Sequence, residues 1–270
     1  MNAPQVLTLP DTQSLPDTRR LAIQRVGVKD VRYPVTIRAR DGATQGVLAT
    51  FSMYVGLAHD VKGTHMSRFV EVLEGAREPL DLDGFRSLFD RMLARLGART
   101  GQLEMRFTYF LKKSAPVSGV ESLLDYDAVW RAKRDEAAFR TTVTVSAPVT
   151  SLCPCSKSIS DYGAHNQRSR ITIAAEVENG EVGIDELARI AEDEASCEIW
   201  GLLKRPDEKW VTERAYDNPK FVEDLVRGIA LALCHDPRIG RFRVASENFE
   251  SIHNHSAYAE IEGTGAARPS

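Results

Sequence analysis

The chain has 270 residues, 43% of them hydrophobic, which exceeds one average domain and suffices for a sizeable core. Its 35 basic and 38 acidic residues nearly cancel, so the overall balance marks neither a nucleic-acid nor a membrane partner, although a local basic pocket for phosphates stays compatible with it. No apolar run approaches the roughly 20 residues that span a bilayer, and the opening MNAPQVLTLPDTQSLPDT lacks the positive start and apolar stretch of a secretory signal.

Pro, Ser, Thr and Asp dominate residues 1–18, which read as a disordered arm. Strand signals follow at 32–39 and in TFSMYVGL, where Phe51, Met53, Val55 and Leu57 share a face. Helical spacing joins Phe85, Leu88, Phe89, Met92, Leu93 and Leu96. In LEMRFTYFL the period returns to two, with Leu103, Met105, Phe107 and Tyr109 on one face, and a further strand is expected over about 123–132.

The second half begins with TVTVSAP, where Val143 and Val145 alternate with threonines, and RITIAAEV, where Ile171, Ile173, Ala175 and Val177 line up. An amphipathic helix fits 184–200, with Leu187, Ile190, Ala191 and Trp200. Another joins Val222, Leu225, Val226, Ile229 and Leu233, with Asn218 as its expected N-cap and Pro219 at its first position. The polar run between them, 202–224, reads as a charged loop. Strands are expected at 240–247 and 256–262, before a flexible tail at 264–270.

Residues 19–135 thus give strand, strand, helical region, helix, strand, strand, and residues 136–263 repeat that plan. The expectation is an α+β protein formed by tandem duplication, with antiparallel sheets carrying helices on one face.

Three segments could carry chemistry. In PVTSLCPCSKSISDYGAHNQRS, Cys153 and Cys155 flank Pro154, and His165 follows. Cysteines two apart rarely close on each other, and a structural zinc would want four tight ligands. A catalytic or metal-binding thiol and an ordinary buried thiol both remain open. The four cysteines, at 153, 155, 197 and 234, follow no disulfide framework and are expected as reduced thiols in a cytoplasm. In NFESIHNHSAY, Glu250, His253 and His255 supply one carboxylate and two imidazoles suited to proton transfer or a divalent ion, or to an ordinary surface turn. In KGTHMSRF, Lys62, His65, Ser67 and Arg68 could clasp a polyphosphate. Neither a P-loop nor a GxGxxG dinucleotide fingerprint occurs.

Together, SLCPCSKSISDYGAHNQRS, LLKRPDEKWVTERAYDNPKFVED, KGTHMSRF and FESIHNHSAYA resemble the type IB GTP cyclohydrolases, the prokaryotic FolE2 family, over roughly residues 20–262. The resemblance implies two tunnelling-fold units per chain, a homotetramer with sites at subunit interfaces, and one divalent metal ion, Zn, Mn or Fe. It implies metal-dependent hydrolysis of GTP to 7,8-dihydroneopterin triphosphate and formate, the entry to tetrahydrofolate and related pterins.

By the same resemblance, Cys153 answers to a metal-binding and catalytically important cysteine, and His165, Glu208 and His253 to the metal's surroundings. Glu223 answers to a buried carboxylate that anchors the guanine edge. Glu250, His253 and His255 fall where protons are transferred, and Lys62 and Arg68 are candidates for the triphosphate. Two rivals are a nitrile reductase of the same fold, using NADPH and a cysteine nucleophile, and a purine-binding module without catalysis.

Overall fold

Alternation of apolar and polar residues sends every second side chain of a strand to one face, and here it does so across eight strands. In the computed structural model, which describes residues 11, 13 and 15–265, the first half runs β1 (Ile23–Arg38), β2 (Thr44–Leu57), α1 (Ser67–Glu74), α2 (Leu82–Leu96), β3 (Gly101–Ser114) and β4 (Glu121–Arg134). The second half runs β5 (Phe139–Leu152), α3 (Pro154–Ile159), β6 (Asn166–Val177), α4 (Ile184–Glu194), α5 (Arg205–Asp217), α6 (Val222–Cys234), β7 (Ile239–Asn248) and β8 (Ala257–Thr264). Every neighbouring pair is antiparallel and the strand order is the chain order. Because β4 pairs with β5 from Asp127↔Ser146 to Arg134↔Phe139, the two half-sheets merge into one.

The register builds the core as rows. Phe51, Met105, Trp130, Val143, Ala175 and Phe242 stand opposite one another on six consecutive strands, and all are buried. Helices α2, α4 and α6 lay their apolar stripes on this face; Phe85 of α2 meets Trp130 edge-on at 5.7 Å. The opposite face is polar and laced by cross-strand ion pairs, such as Arg131 with Glu104 at 2.7 Å and Arg140 with Glu176 at 3.6 Å.

Four expectations need correction. Strand β1 starts at Ile23, well before residue 32, because register shifts at Ile23/Val26 and Val28/Val31 break the period of two. Within that irregular stretch Gly27 lies so close to β2 that an added Cβ would sit 2.0 Å from the Met53 carbonyl oxygen. Helix α4 ends at Glu194 and not at 200, since the chain there turns to pair Cys197 with Thr150. The polar run 202–224 is no loop: residues 205–217 form α5. Asn218 therefore closes the C-terminus of α5, donating from its side-chain amide to the Ala195 carbonyl at 2.8 Å, while Phe221 caps α6, its amide bonded to Asp224 at 3.0 Å.

Of the N-terminal arm, residues 1–10, 12 and 14 lie outside the described residues, as does 266–270 of the tail. The end of the arm is held: Pro16 pairs with Val61, and the Asp17 amide donates to Asp60 at 2.8 Å.

Candidate active site

The antiparallel order gives the sheet two ends. At one, strands β1, β3, β5 and β7 finish and β2, β4, β6 and β8 begin; at the other the reverse holds. Strand β5, with 14 residues, sets them roughly 40 Å apart.

At the first end β5 delivers Cys153, the N-cap of α3, whose sulfur accepts from the Ser156 amide at 3.5 Å. Pro154 occupies the first helical position, where its missing N–H costs nothing. The chain then returns into β6, and the Cys153 amide donates to the His165 carbonyl at 3.1 Å. Ser156 laces the two residues together: its hydroxyl donates to the Cys153 carbonyl at 3.1 Å and accepts from the His165 amide at 3.2 Å. The segment after β5 thus begins as a short helix pinned at its start. Cys155 on its outer side is exposed.

The ring of His165 is held by a buried relay. Its Nδ1 lies 3.0 Å from Gln167 Oε1 and 3.2 Å from Ser251 Oγ. Gln167 Nε2 in turn donates to Ser151 Oγ at 2.9 Å, and Ser151 meets Ser169 at 2.7 Å. With the Gln167 nitrogen engaged by Ser151, its oxygen faces Nδ1, so both contacts of the ring fall on Nδ1 and neither on Nε2. Such a contact on the far ring nitrogen is how proteins orient a metal-binding imidazole. Gln167, Ser151, Ser169, Ser156 and Ser251 are functional candidates that sequence reasoning missed. A signal existed: Gln167 and Ser169 share the apolar face of Ile171 and Ile173, and Ser151 lies opposite Gln167.

The same end gathers the other residues. Glu250 is half-buried in the β7–β8 turn, and the exposed rings of His253 and His255 stack at 5.0 Å. Glu208 is exposed in the first turns of α5, beside Arg205, Lys209 and Thr212. Glu223 stands in the first turn of α6, whose approach is fixed by the Lys220 amide donating to the carbonyl of Leu152, next to Cys153. The expectation of a buried Glu223 is corrected: in a single chain this carboxylate is exposed, because its helix buries the opposite stripe of Val222, Leu225, Val226 and Ile229.

Among the described residues of one chain, no three His, Cys, Asp or Glu side chains converge into one cluster. The donors nevertheless fit a divalent ion in kind. A half-buried thiol and an oriented imidazole are backbone-linked, and carboxylates and further imidazoles stand on the surrounding turns. Of the remaining thiols, Cys197 is buried, and burial pushes it up to about 11, so it is an inert thiol near neutrality. Cys234 faces the Thr264 carbonyl at 3.7 Å.

Beneath this end lies a charged knot on the helical face of the sheet. Lys113 Nζ reaches Glu192 at 2.8 Å and Glu198 at 2.6 Å and sits 4.8 Å over the Trp200 ring, while the Tyr126 hydroxyl donates to Glu192. Burial raises the Glu192 carboxyl, against the pull of Lys113 and Tyr126.

Lys62 and Arg68 are not brought to Cys153. They follow the end of β2, at the other end of the sheet. Arg68 lines a cleft of about 1510 Å³ together with Arg25, Arg99, Lys133 and Arg134. Among the described residues its guanidinium has no carboxylate partner, whereas Arg134 is paired with Asp90 at 3.0 Å.

The chain matches the model of a family described as type I GTP cyclohydrolase FolE2 over residues 9–259. It is 62% identical to "GTP cyclohydrolase FolE2 1" of Dechloromonas aromatica, covering 97% of this chain and 99% of that one. With "GTP cyclohydrolase FolE2" of Methylobacillus flagellatus the identity is 54%, over 97% and 98% of the two chains. Among solved structures the uricase of Arthrobacter globiformis superimposes with a TM-score of 0.50 at 9% identity, covering 92% of this chain and 94% of that one. At that identity the likeness concerns the fold alone, an α+β tandem of tunnelling-fold units.

Proposed function

The chain belongs to the FolE2 family of type I GTP cyclohydrolases, and from that premise we propose that it hydrolyses GTP to 7,8-dihydroneopterin triphosphate and formate, the entry step to tetrahydrofolate and related pterins. One observation carries the assignment to particular residues: Cys153 and His165 are tied backbone to backbone, with Nδ1 of the imidazole engaged by Gln167 and Ser251 and Nε2 outside those contacts.

Cys153, His165, Glu208 and His253 would hold one divalent ion, Zn, Mn or Fe. Bound there, the ion would supply Lewis acidity and bring the pKa of water from about 15.7 toward 7. The protein's own groups account for the rest. Glu250, His253 and His255 exchange protons with the purine nitrogens and, later, the sugar, a task for imidazole and carboxyl near neutral pH. Glu223 accepts from N1–H and the exocyclic amine of guanine, donors that adenine does not present, which gives base selectivity.

Lys62 and Arg68 hold the triphosphate of a GTP bound at another copy's Cys153 end. Their separation by the length of the sheet supports this division. A homotetramer with shared sites also answers the edge problem. Strands β1, of 16 residues, and β8, of 8, are the outermost strands of the sheet, and a long unpaired edge is a ready template for pairing with another chain. The halves 19–135 and 136–263 are proposed as the two duplicated units, and four free thiols suit a cytoplasmic setting.

The reading is tested by stripping the protein with a chelator, adding back Zn²⁺, Mn²⁺ or Fe²⁺, and following neopterin fluorescence with formate from GTP. One formate per pterin is expected. NADPH oxidation with a cyano-deazaguanine, and no formate from GTP, would install the nitrile reductase in its place.

The shared site makes its own prediction. Arg68→Ala should lower kcat/KM for GTP about 10- to 100-fold, from the loss of a charge-assisted phosphate contact worth about 1.5–3 kcal/mol. Mixing Arg68→Ala with Cys153→Ala subunits, by denaturation and joint refolding, should give turnover above the sum of the two variants measured alone. No recovery in verified mixed oligomers would mean that both residues serve one chain or that Arg68 serves none.

A further inference from the structure

Helix α5 lacks what usually fixes a helix on its domain. Of its 13 residues only Asp207 and Ala215 are buried, so no apolar stripe sets its rotation about its own axis. Trp210 packs edge-on against Trp200 at 6.1 Å, and Lys157 caps the far end over the Tyr216 ring at 4.2 Å. The first turn is held differently. Asp207 is fully buried and accepts four hydrogen bonds: Oδ1 from the Val117 and Ser118 amides, both at 2.8 Å, and Oδ2 from the Ser118 hydroxyl at 2.6 Å and the Lys204 amide at 2.8 Å.

One of these donors is the chain just before the helix, and three belong to the turn between β3 and β4, in the other half of the protein. A carboxylate with all its acceptor directions filled by fixed donors tolerates neither translation nor rotation. Its neighbour along the helix, one residue and about 100° further round, is Glu208. The Glu208 carboxylate has no partner among the described residues, so nothing but the helix's own placement directs it.

We propose that Asp207 is the positioning residue of the site: by locking the first turn of α5 to the β3–β4 turn, it aims Glu208 at the divalent ion. The proposal rests on the reading of Glu208 as a donor to that ion. It gives the first half of the chain a defined task in a site whose other donors all come from the second half. Asp207 itself touches neither substrate nor ion.

The test uses the full-length protein and reads Zn²⁺ affinity by competition with a chromogenic chelator, alongside kcat, KM, oligomeric state and circular dichroism. Asp207→Asn keeps the shape but turns an N–H group toward donors. It is expected to weaken Zn²⁺ binding about 10- to 100-fold, the usual cost of removing support behind a ligand. The loss should appear in kcat, with little change in KM for GTP. Ser118→Ala removes one bond of the four and should give about a two- to fivefold loss, which keeps the proposal testable if Asp207→Asn does not fold. Wild-type Zn²⁺ affinity in a folded Asp207→Asn, or in Ser118→Ala where Asp207→Asn fails to fold, would overturn it even if the melting temperature falls. Glu208→Gln separates the two layers. If it binds Zn²⁺ as wild type, the donor assignment falls and the positioning role with it. If it loses Zn²⁺ while Asp207→Asn keeps it, only the positioning role falls.

Discussion

Cys153→Ala is expected to bring GTP turnover down by roughly a thousandfold or more while leaving an assembled, folded protein. The chemical loss is large because the thiol is the proposed soft donor to the ion; about 4 kcal/mol of lost transition-state stabilisation corresponds to a thousandfold. The structural loss is small. The side chain is only half-buried, and its one hydrogen bond, the Ser156 amide to sulfur at 3.5 Å, is long and weak. Most of the pinning of α3 runs instead through Ser156 and the backbone bond to His165. Cys153→Ser sharpens the test. Serine is a better N-cap than alanine, so the serine variant should melt no lower than the alanine variant, yet it too should be inactive. Formate release and size-exclusion chromatography on both variants check the pair, and wild-type-like turnover in either would remove Cys153 from the mechanism.

Lys113→Met should be the most damaging change to stability outside the hydrophobic core. Lys113 is about 10% exposed at its side chain and bridges Glu192 and Glu198. Methionine fills similar space but leaves two carboxylates facing each other with no cation between them. Breaking a buried pair from one side costs about 3–5 kcal/mol. The pH dependence carries the signature. Burial already raises the Glu192 carboxyl, and losing Lys113 raises it further. A carboxyl whose folded pKa lies above its unfolded value binds the extra proton in the folded state. Its favourable contribution is therefore complete below the unfolded pKa, near 4.5, and is lost as pH rises through the folded value. The variant's deficit relative to wild type should thus shrink as pH falls from 7 toward 5. Thermal melts across that range decide it, and a deficit that does not vary with pH would mean that the carboxylates find another partner.

The segments that sequence reasoning read well are those where one local rule decides. Phe51, Met53 and Val55, or Ile171, Ile173 and Ala175, alternate because one face of their strand is buried, and α2 and α6 show the helical period because each lays one stripe on that face. Helix α5 was unreadable for the converse reason: it is held by Asp207, Asn218 and the two tryptophans, and hydrogen bonds to distant turns leave no periodicity. The end of α4 was misjudged because Cys197 gives up helix for a backbone pair with Thr150, a partner 47 positions away. The bulges of β1 concealed its first nine residues in the same way.

The site divides along the same line. Cys153 and His165 were named as candidates by the family resemblance, and the β5–β6 connection, which leaves one strand and enters its antiparallel neighbour, brings their backbones together. Residue identity likewise determined the chemistry on offer, a thiol, imidazoles and carboxylates, and the family. Tertiary structure alone decided that Gln167 and Ser251 orient the imidazole, that Glu223 is exposed in a single chain, and that Lys62 and Arg68 lie a full strand length from Cys153. The reason is geometric. Periodicity reports which face a side chain takes, but the distance between residues far apart in sequence depends on strand direction and register, which exist only once the sheet is built.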